Sequence, residues 1–401
     1  MQKIFQNRNL TLLWAGQMVS QSGDSVYQIG LLWLVLELTG SSSATGLVAM
    51  ASYLPAMFLS LFAGVAADRG HRRRIMLMSD GIRFGLVLLI PALYLLGMLE
   101  PFFLGANAFL LAIAGTFFNP ARDAFIPEIV PKEGLIRANS LIQTSWQFAL
   151  LLGPAIAGGL LHYLGNIHLF VACSFTYLFS FIFILFIRSG GKGFSTSKNS
   201  PGMKEIKDGL VFALRNPVIS PLLLLTAIDN IFIMGPAIVG TPVFVKHTLG
   251  LGAESFALIM ACYAVGMLLG SGWLFVFGGR FKKGHMLLIG MVLDGITFIP
   301  LYFVESLVAM GIVIIIHSLA VPMLTVSRSS LIQDIVPFNM TGRIFAMVNL
   351  SVVGMTALSS ALVGFALEFI EAPTLFLVIG IGGGICGVVG WIFAKDLKAS
   401  A

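Results

Sequence analysis

Arg122-Asp-Ala-Phe-Ile-Pro-Glu128-Ile-Val-Pro131 recurs 206 residues later as Arg328-Ser-Ser-Leu-Ile-Gln-Asp334-Ile-Val-Pro337. The basic residue, the acid six positions on and the Ile-Val-Pro ending align without a gap. A further arginine stands six residues past each proline, Arg137 and Arg343. A period of about half the chain means two copies of one structural unit.

Working outward, the segments flanking both copies are apolar. Of the 401 residues, 57% are hydrophobic and 10% charged, against about 25% charged in a soluble domain. Runs of about 20 apolar residues, enough to cross roughly 30 Å of hydrocarbon, fall near 11–36, 43–66, 75–98, 102–121, 138–161, 167–187, 218–245, 255–278, 285–304, 307–327, 342–367 and 374–394. None shows the period-2 alternation of a barrel strand, so all twelve read as transmembrane helices of an all-α membrane protein.

The net charge of +6 is compatible with nucleic-acid binding, but the placement of the charges argues against it. With the amino terminus in the cytoplasm, 22 of the 24 Lys and Arg residues fall on the cytoplasmic side; Lys246 lies outside and Arg83 within the third span. This is the positive-inside pattern, and it places both termini in the cytoplasm. No cleaved signal is expected, because the first span would itself insert and stay. Cys173, Cys262 and Cys386 sit singly in different spans, which suggests neither disulfides nor a metal site.

Residues 189–201 form a polar Gly/Ser-rich linker. Lys204–Leu214 then reads as an amphipathic helix with Ile206, Leu210, Val211 and Leu214 on one face, lying along the inner membrane surface. The expected division is a six-helix half over 1–188, a cytoplasmic linker with the amphipathic helix over 189–217, and a second six-helix half over 218–401. An even number of helices per half makes the repeats parallel, as in transporters built from two related halves.

The first span is the chemically richest. Gln17, Gln21, Asp24 and Gln28 make one polar stripe at helical spacing. A charge at the depth of Asp24 costs about 2.5–3.5 kcal/mol and usually faces a wet cavity; a buried hydrogen-bonding strip is the alternative. The seventh span carries Asp229-Asn230, and Asn230 is the 206-offset counterpart of Asp24. Asp80 and Arg83, spaced i, i+3, can pair with one another. Asp294 has no obvious partner. His317 suits either a proton relay or hydrogen-bonded packing. Arg122, Glu128, Arg328, Asp334 and Arg343 sit at inner helix ends, where they fit ion pairs between the halves that form and break with gating, or plain topology signals. Gly380, Gly382, Gly383, Gly384 and Gly387 lie inside the last span without a preceding strand and read as packing glycines. The chain has no phosphate-cradling G-x-x-x-x-G-K-[S/T] loop, and no cofactor is expected.

Between the second and third spans stands Gly64-Val-Ala-Ala-Asp68-Arg69-Gly-His-Arg72-Arg73-Arg74. This resembles the signature loop G-x-x-x-D-R-x-G-R-R of the major facilitator superfamily, with His71 where the family usually has glycine; a plain basic turn is the alternative reading. The resemblance implies two six-helix halves around a midplane cavity. It further implies that Asp68 caps the helix near Thr341-Gly342-Arg343 of the opposite half, and that Arg72 or Arg73 pairs with a nearby acid, for which Asp123 is the closest candidate. It places Asp24, Asp229 and His317 on the cavity. Gly153-Pro154-Ala-Ile-Ala157-Gly158-Gly159 is similar to the Gly-Pro element of drug:proton antiporters in that superfamily, or is ordinary small-residue packing; Ser359-Ser360 replaces Gly-Pro in the second half. Leu31–Ser41 and Asn119-Pro-Ala-Arg122 look like the macrolide-efflux and siderophore-exporter branch.

The expectation is therefore a monomeric transporter of the bacterial cytoplasmic membrane that exchanges protons for amphipathic small molecules such as drugs or siderophores. A lipid or lysolipid transporter of the same fold and a non-transporting ligand sensor are the alternatives. No nucleophile–base or metal constellation supports an enzyme.

Overall fold

The computed structural model describes residues 7–131, 134–188 and 203–400. The described residues form twelve long helical spans. In chain order, α1 (Arg8–Thr39), α2 (Ser42–Arg69), α3 (Arg72–Leu95), α4 (Pro101–Ile129), α5 (Leu135–Leu164) and α6 (Asn166–Leu185) precede the amphipathic α7 (Met203–Arg215). Then come α8 (Ile219–Gly235), α9 (Ala253–Phe277), α10 (Lys283–Ile296), α11 (Leu307–Ile335), α12 (Phe338–Ala366), α13 (Ala372–Phe393) and the short α14 (Lys395–Ala399). Eleven spans are long and apolar enough to cross a membrane. The remaining one is α1, whose Gln17, Gln21, Asp24 and Gln28 dilute its hydropathy.

Local chemistry sets the helix ends. The Asn7 side chain accepts from Leu10 N at the start of α1, and Gly40, in the left-handed region at φ 64°, closes its end with N–H donated to Leu36 O. Pro101 and Pro373 occupy first-turn positions of α4 and α13, where the missing amide is not needed. Pro236 and Pro242 lie further inside their span. Each removes an amide from the ladder, and α8 continues to Thr248 through two widened π turns, Pro236–Gly240 and Phe244–Thr248.

The chain forms two compact units, one of residues 1–40 and 51–200, the other of residues 41–50 and 201–401. The first ten residues after Gly40, which open α2, thus belong with the second unit, a departure from a cut at the linker alone. Its cause is visible at Gly46 and Gly364, where a Cβ on Gly364 would stand 2.8 Å from Gly46 Cα. The expected linker residues 189–202 lie outside the described residues.

Each unit has a buried apolar cluster, and the two clusters are built from the repeat. In the first, Leu13, Phe118, Phe125, Ile126, Val130, Ala138 and Ile142 pack together. In the second, Ile219, Leu324, Leu331, Ile332, Val336, Ile344 and Val348 do the same. All seven positions correspond at the 206-residue offset. The duplicated sequence is therefore a duplicated core.

Helix α7 buries Ala213 in the second cluster and leaves Leu210, Val211 and Leu214 exposed, an open apolar edge suited to a membrane surface. The glycines of α13 are packing glycines. A Cβ on Gly295 of α10 would stand 2.1 Å from Gly384 N, and one on Gly387 would stand 2.5 Å from Val292 N.

Candidate functional site

In the first unit, the polar stripe of α1 meets α3, α4 and α6. Asp24 Oδ1 accepts from Arg83 Nη2 at 2.7 Å and from the Tyr177 hydroxyl at 2.6 Å. Arg83 also lies 4.7 Å from the centroid of the Tyr177 ring, a cation–π contact. Its Nη1 is 3.8 Å from Asp80, which is fully buried and accepts no hydrogen bond at either carboxylate oxygen. One cation therefore stands between two carboxylates. Only one of the three groups is open to solvent, since the Asp24 side chain is 38% exposed and that of Arg83 10%. Gly115 makes the room, because a Cβ there would sit 3.2 Å from Arg83 Nη2.

The i, i+3 spacing of Asp80 and Arg83 predicts their pairing, but the shorter contact of Arg83 is with Asp24 on another helix. The signal for it was available, because an intramembrane acid requires a cation and Arg83 is a lone basic residue within a span. Along the same stripe, buried Gln17 accepts from Arg122 Nη1 at 2.9 Å and from Gln21 Nε2 at 3.4 Å. Gln28 has its amide nitrogen buried without a hydrogen-bond acceptor. Tyr27, one position before it on the helix, donates to Asn107 at 3.1 Å.

In the second unit Asp229 and Asn230 are both buried in α8, and Asn230 donates to Thr226 O at 2.8 Å. Asp229 Oδ1 is buried without a hydrogen-bond partner. Of the two repeat arginines, Arg122 reaches the first helix of its unit through Gln17. His317 lies between α10 and α11. Its Nδ1 is 2.9 Å from Thr297 Oγ1, its Nε2 is 3.5 Å from Asp294 Oδ1, and its ring stacks on Phe298 at 4.0 Å. Asp294, without an obvious partner in the sequence, lies beside His317 in the fold, though its Oδ1 accepts no hydrogen bond.

The charges at the helix ends find partners within their own units. Arg72 Nη1 meets Glu128 at 2.7 Å and the Ala124 carbonyl at 3.0 Å, and Arg73 Nε donates to Ile184 O at 3.1 Å. Asp123, expected to take Arg72 or Arg73, instead pairs with its neighbour Arg122 at 2.8 Å. Asp334 pairs with Lys283. Arg343 runs beside Gly209 of α7. Arg69 is exposed and Gly64 is half-buried. The side chains of Asp68 and Arg137 lie outside those described.

Gly153 and Pro154 of α5 are buried, and Gly158 is half-buried. A Cβ on Gly153 would stand 2.3 Å from Ser25 Oγ of α1. The second unit repeats the contact at the same offset, where Ser359 Oγ donates to Ile231 O at 2.5 Å and accepts from Gly235 N at 2.8 Å. Gly-Pro in one half and Ser-Ser in the other occupy one packing position. Beside it, α1, α5 and α6 line an open cleft of about 430 Å³, with Met18, Val19, Gly23, Ile156, Leu160 and Cys173 among its walls.

The family model described as transmembrane secretion effector, a major facilitator family, matches residues 3–393. Macrolide efflux protein A of Streptococcus pyogenes is 24% identical over 96% of this chain and 97% of its own length. Multidrug efflux pump Tap of Mycolicibacterium fortuitum is 29% identical over 56% of each chain. Among solved structures, the nucleoside transporter NupG superposes with a TM-score of 0.79 at 11% identity, covering 96% of this chain and 99% of its own. That likeness concerns the fold.

Proposed function

The chain belongs to the transmembrane secretion effector family of major facilitator transporters, and from that premise we propose that it exports amphipathic, cationic or zwitterionic small molecules in exchange for protons. It is an integral membrane protein with efflux pumps among its relatives. The bacterial cytoplasmic membrane, with both termini inside, is the setting that the charge distribution supports.

The observation that carries the proposal is Asp24, a partly open carboxylate at the solvent end of a buried Asp80–Arg83–Asp24 array. Arg83 and Tyr177 fix its Oδ1, leaving the rest of the carboxylate to take a cation or a proton. Those two ligands cannot share one carboxylate at full strength. Protonation removes the charge that attracts the cation, and a bound cation disfavours the proton. Competition at one group, combined with alternating access, is antiport. The membrane gradient then drives protons in and substrate out.

The test is flux in proteoliposomes with an imposed pH gradient, using a lipophilic cation and a macrolide as probes. Wild-type protein is expected to move substrate against its gradient when protons run down theirs, and Asp24→Asn to lose that response while still folding. Proton-dependent efflux unchanged in Asp24→Asn would overturn the assignment. A second reading, lipid or lysolipid movement, is favoured by the apolar cleft between α1, α5 and α6. It predicts competition by lysolipid and no response to the pH gradient.

A further inference from the structure

A single guanidinium serves two acids in the first unit. Asp80 and Arg83 lie three residues apart on α3, so they share a face of that helix. Asp24 comes to the same guanidinium from α1, with Arg83 Nη2 at 2.7 Å from Asp24 and Nη1 at 3.8 Å from Asp80. Two carboxylates against one cation leave the trio one negative charge in excess.

That excess is not cancelled by the neighbours. The other titratable groups against the trio are Tyr27 on α1 and Cys173 and Tyr177 on α6, and phenols and thiols are uncharged near neutral pH. Helix α4 contributes Gly115, whose missing Cβ gives the guanidinium its room. Further along the α1 stripe, Arg122 reaches Gln17 at 2.9 Å but carries its own acid, Asp123, at 2.8 Å. That pair is neutral as a whole.

The two acids differ in access. The Asp80 side chain is sealed from solvent, whereas that of Asp24 is partly open. A ligand can therefore meet Asp24 and not Asp80. With Arg83 to itself, Asp24 would present a neutral ion pair to whatever entered. Because Asp80 draws on the same guanidinium, the charge of Asp24 is only partly offset, and the remainder faces the opening. Screening is weak around buried groups, so the sealed acid is felt across the guanidinium.

We propose that Asp80 sets the charge of the site: by sharing Arg83 with Asp24 it leaves one net negative charge at the open carboxylate, which selects singly charged organic cations. Asp80 never touches the ligand; it acts through Arg83 and is a positioning residue. A neutral molecule gains nothing from that charge, and a dication keeps one positive charge uncompensated in a partly desolvated site. The selection rests on Asp24 as the exchange site proposed above.

The test is equilibrium binding of radiolabelled tetraphenylphosphonium, a lipophilic monocation, to purified full-length protein in detergent near neutral pH. Asp80→Asn makes the trio neutral and is expected to weaken binding by about tenfold, the effect of one charge at short range in a partly wetted site. Asp80→Glu, which keeps the charge, should retain most of the affinity. Combining Asp80→Asn with Arg83→Ala returns the net charge to that of Asp24 alone and should bring binding back toward the wild-type value. A purely structural role for Asp80 predicts the opposite, a second substitution that adds to the first loss. Unchanged binding in Asp80→Asn, or a folded double variant that binds no better than Asp80→Asn, would overturn the proposal. If Asp80→Asn does not fold, the double variant decides against wild type, and a tenfold loss in it overturns the proposal as well. Binding that survives Asp24→Asn would remove the Asp24 reading, whereas binding lost in Asp24→Asn but kept in Asp80→Asn removes the role of Asp80 alone.

Discussion

Arg83 Nη2 stands 2.7 Å from Asp24 while Nη1 of the same guanidinium stands 3.8 Å from Asp80. One side chain of α3 therefore neutralises an acid on its own helix and another on α1. Removing it leaves two carboxylates with no countercharge, one of them fully buried. Truncating one member of a buried ion pair costs about 3–5 kcal/mol, and the value here should lie near the lower end because Asp24 is partly solvated. Arg83→Ala is expected to lower the thermal unfolding temperature and the yield of monodisperse protein. Asp80→Asn in that background should recover part of the loss, because it removes the buried charge. No recovery in the double variant would mean that Asp80 does not depend on Arg83.

Tyr177 isolates the second ligand of Asp24. Tyr177→Phe keeps the aromatic face under Arg83 and deletes only the hydroxyl that donates at 2.6 Å. A hydrogen bond to a charged group contributes about 1.5–3 kcal/mol, and Asp24 retains Arg83. The expected loss is about 1.5 kcal/mol in unfolding, with proton-coupled flux impaired more than substrate binding, since the aspartate is still present but less firmly placed. A variant with wild-type stability would show that the hydroxyl is not bound to Asp24 in the membrane.

The halves were legible in the sequence because core positions are conserved in spacing between the two copies, and Phe125 and Leu331 show why. Both are large, apolar and buried at the same place in duplicated clusters, so one offset reads both. The polar stripe of α1 was legible for the same reason, as a helical period. Its partners were not. Arg83 and Tyr177 reach Asp24 from α3 and α6, 59 and 153 residues away, and no local period encodes a contact between helices. The same limit applies to Asp294 and His317. Arg72 shows a further kind of difference. Two acids lay within reach of the loop, Asp123 and Glu128, and the choice between them depended on Arg122, which takes the acid beside it.

Glu368 gives a pH dependence with a definite sign. Its Oε1 accepts from the Ser43 backbone N–H at 2.8 Å and from the Ser41 hydroxyl at 2.8 Å, at the amino end of α2. These hydrogen bonds, that from the Ser43 amide first, hold its carboxyl below the usual glutamate range. A carboxyl depressed in the folded state stabilises it fully above the unfolded value of about 4.3 and loses that contribution as pH falls through the folded value. Unfolding temperature measured from neutral to acid pH should therefore fall less in Glu368→Gln than in wild type, starting from a lower neutral value. Parallel curves would show that Glu368 is free of Ser41 and Ser43.

The glycine contacts of α10 and α13 predict a difference between two otherwise identical substitutions. At Gly295 an added Cβ would stand 2.1 Å from Gly384 N and 2.4 Å from Gly383 C, both backbone atoms that no rotamer change can move. At Gly272 of α9 nothing lies within 4 Å. Gly295→Ala therefore has to push two helices apart, at a cost of about 1–3 kcal/mol, whereas Gly272→Ala gains helix propensity and should be neutral or slightly stabilising. Thermal unfolding of the two variants in the same detergent checks this. Because α10 carries Asp294 and so positions it against His317, Gly295→Ala should also disturb the imidazole resonance of His317, while Gly272→Ala leaves it unchanged. An unperturbed His317 in a destabilised Gly295→Ala would indicate that α10 yields on its α13 side and keeps its contact with α11.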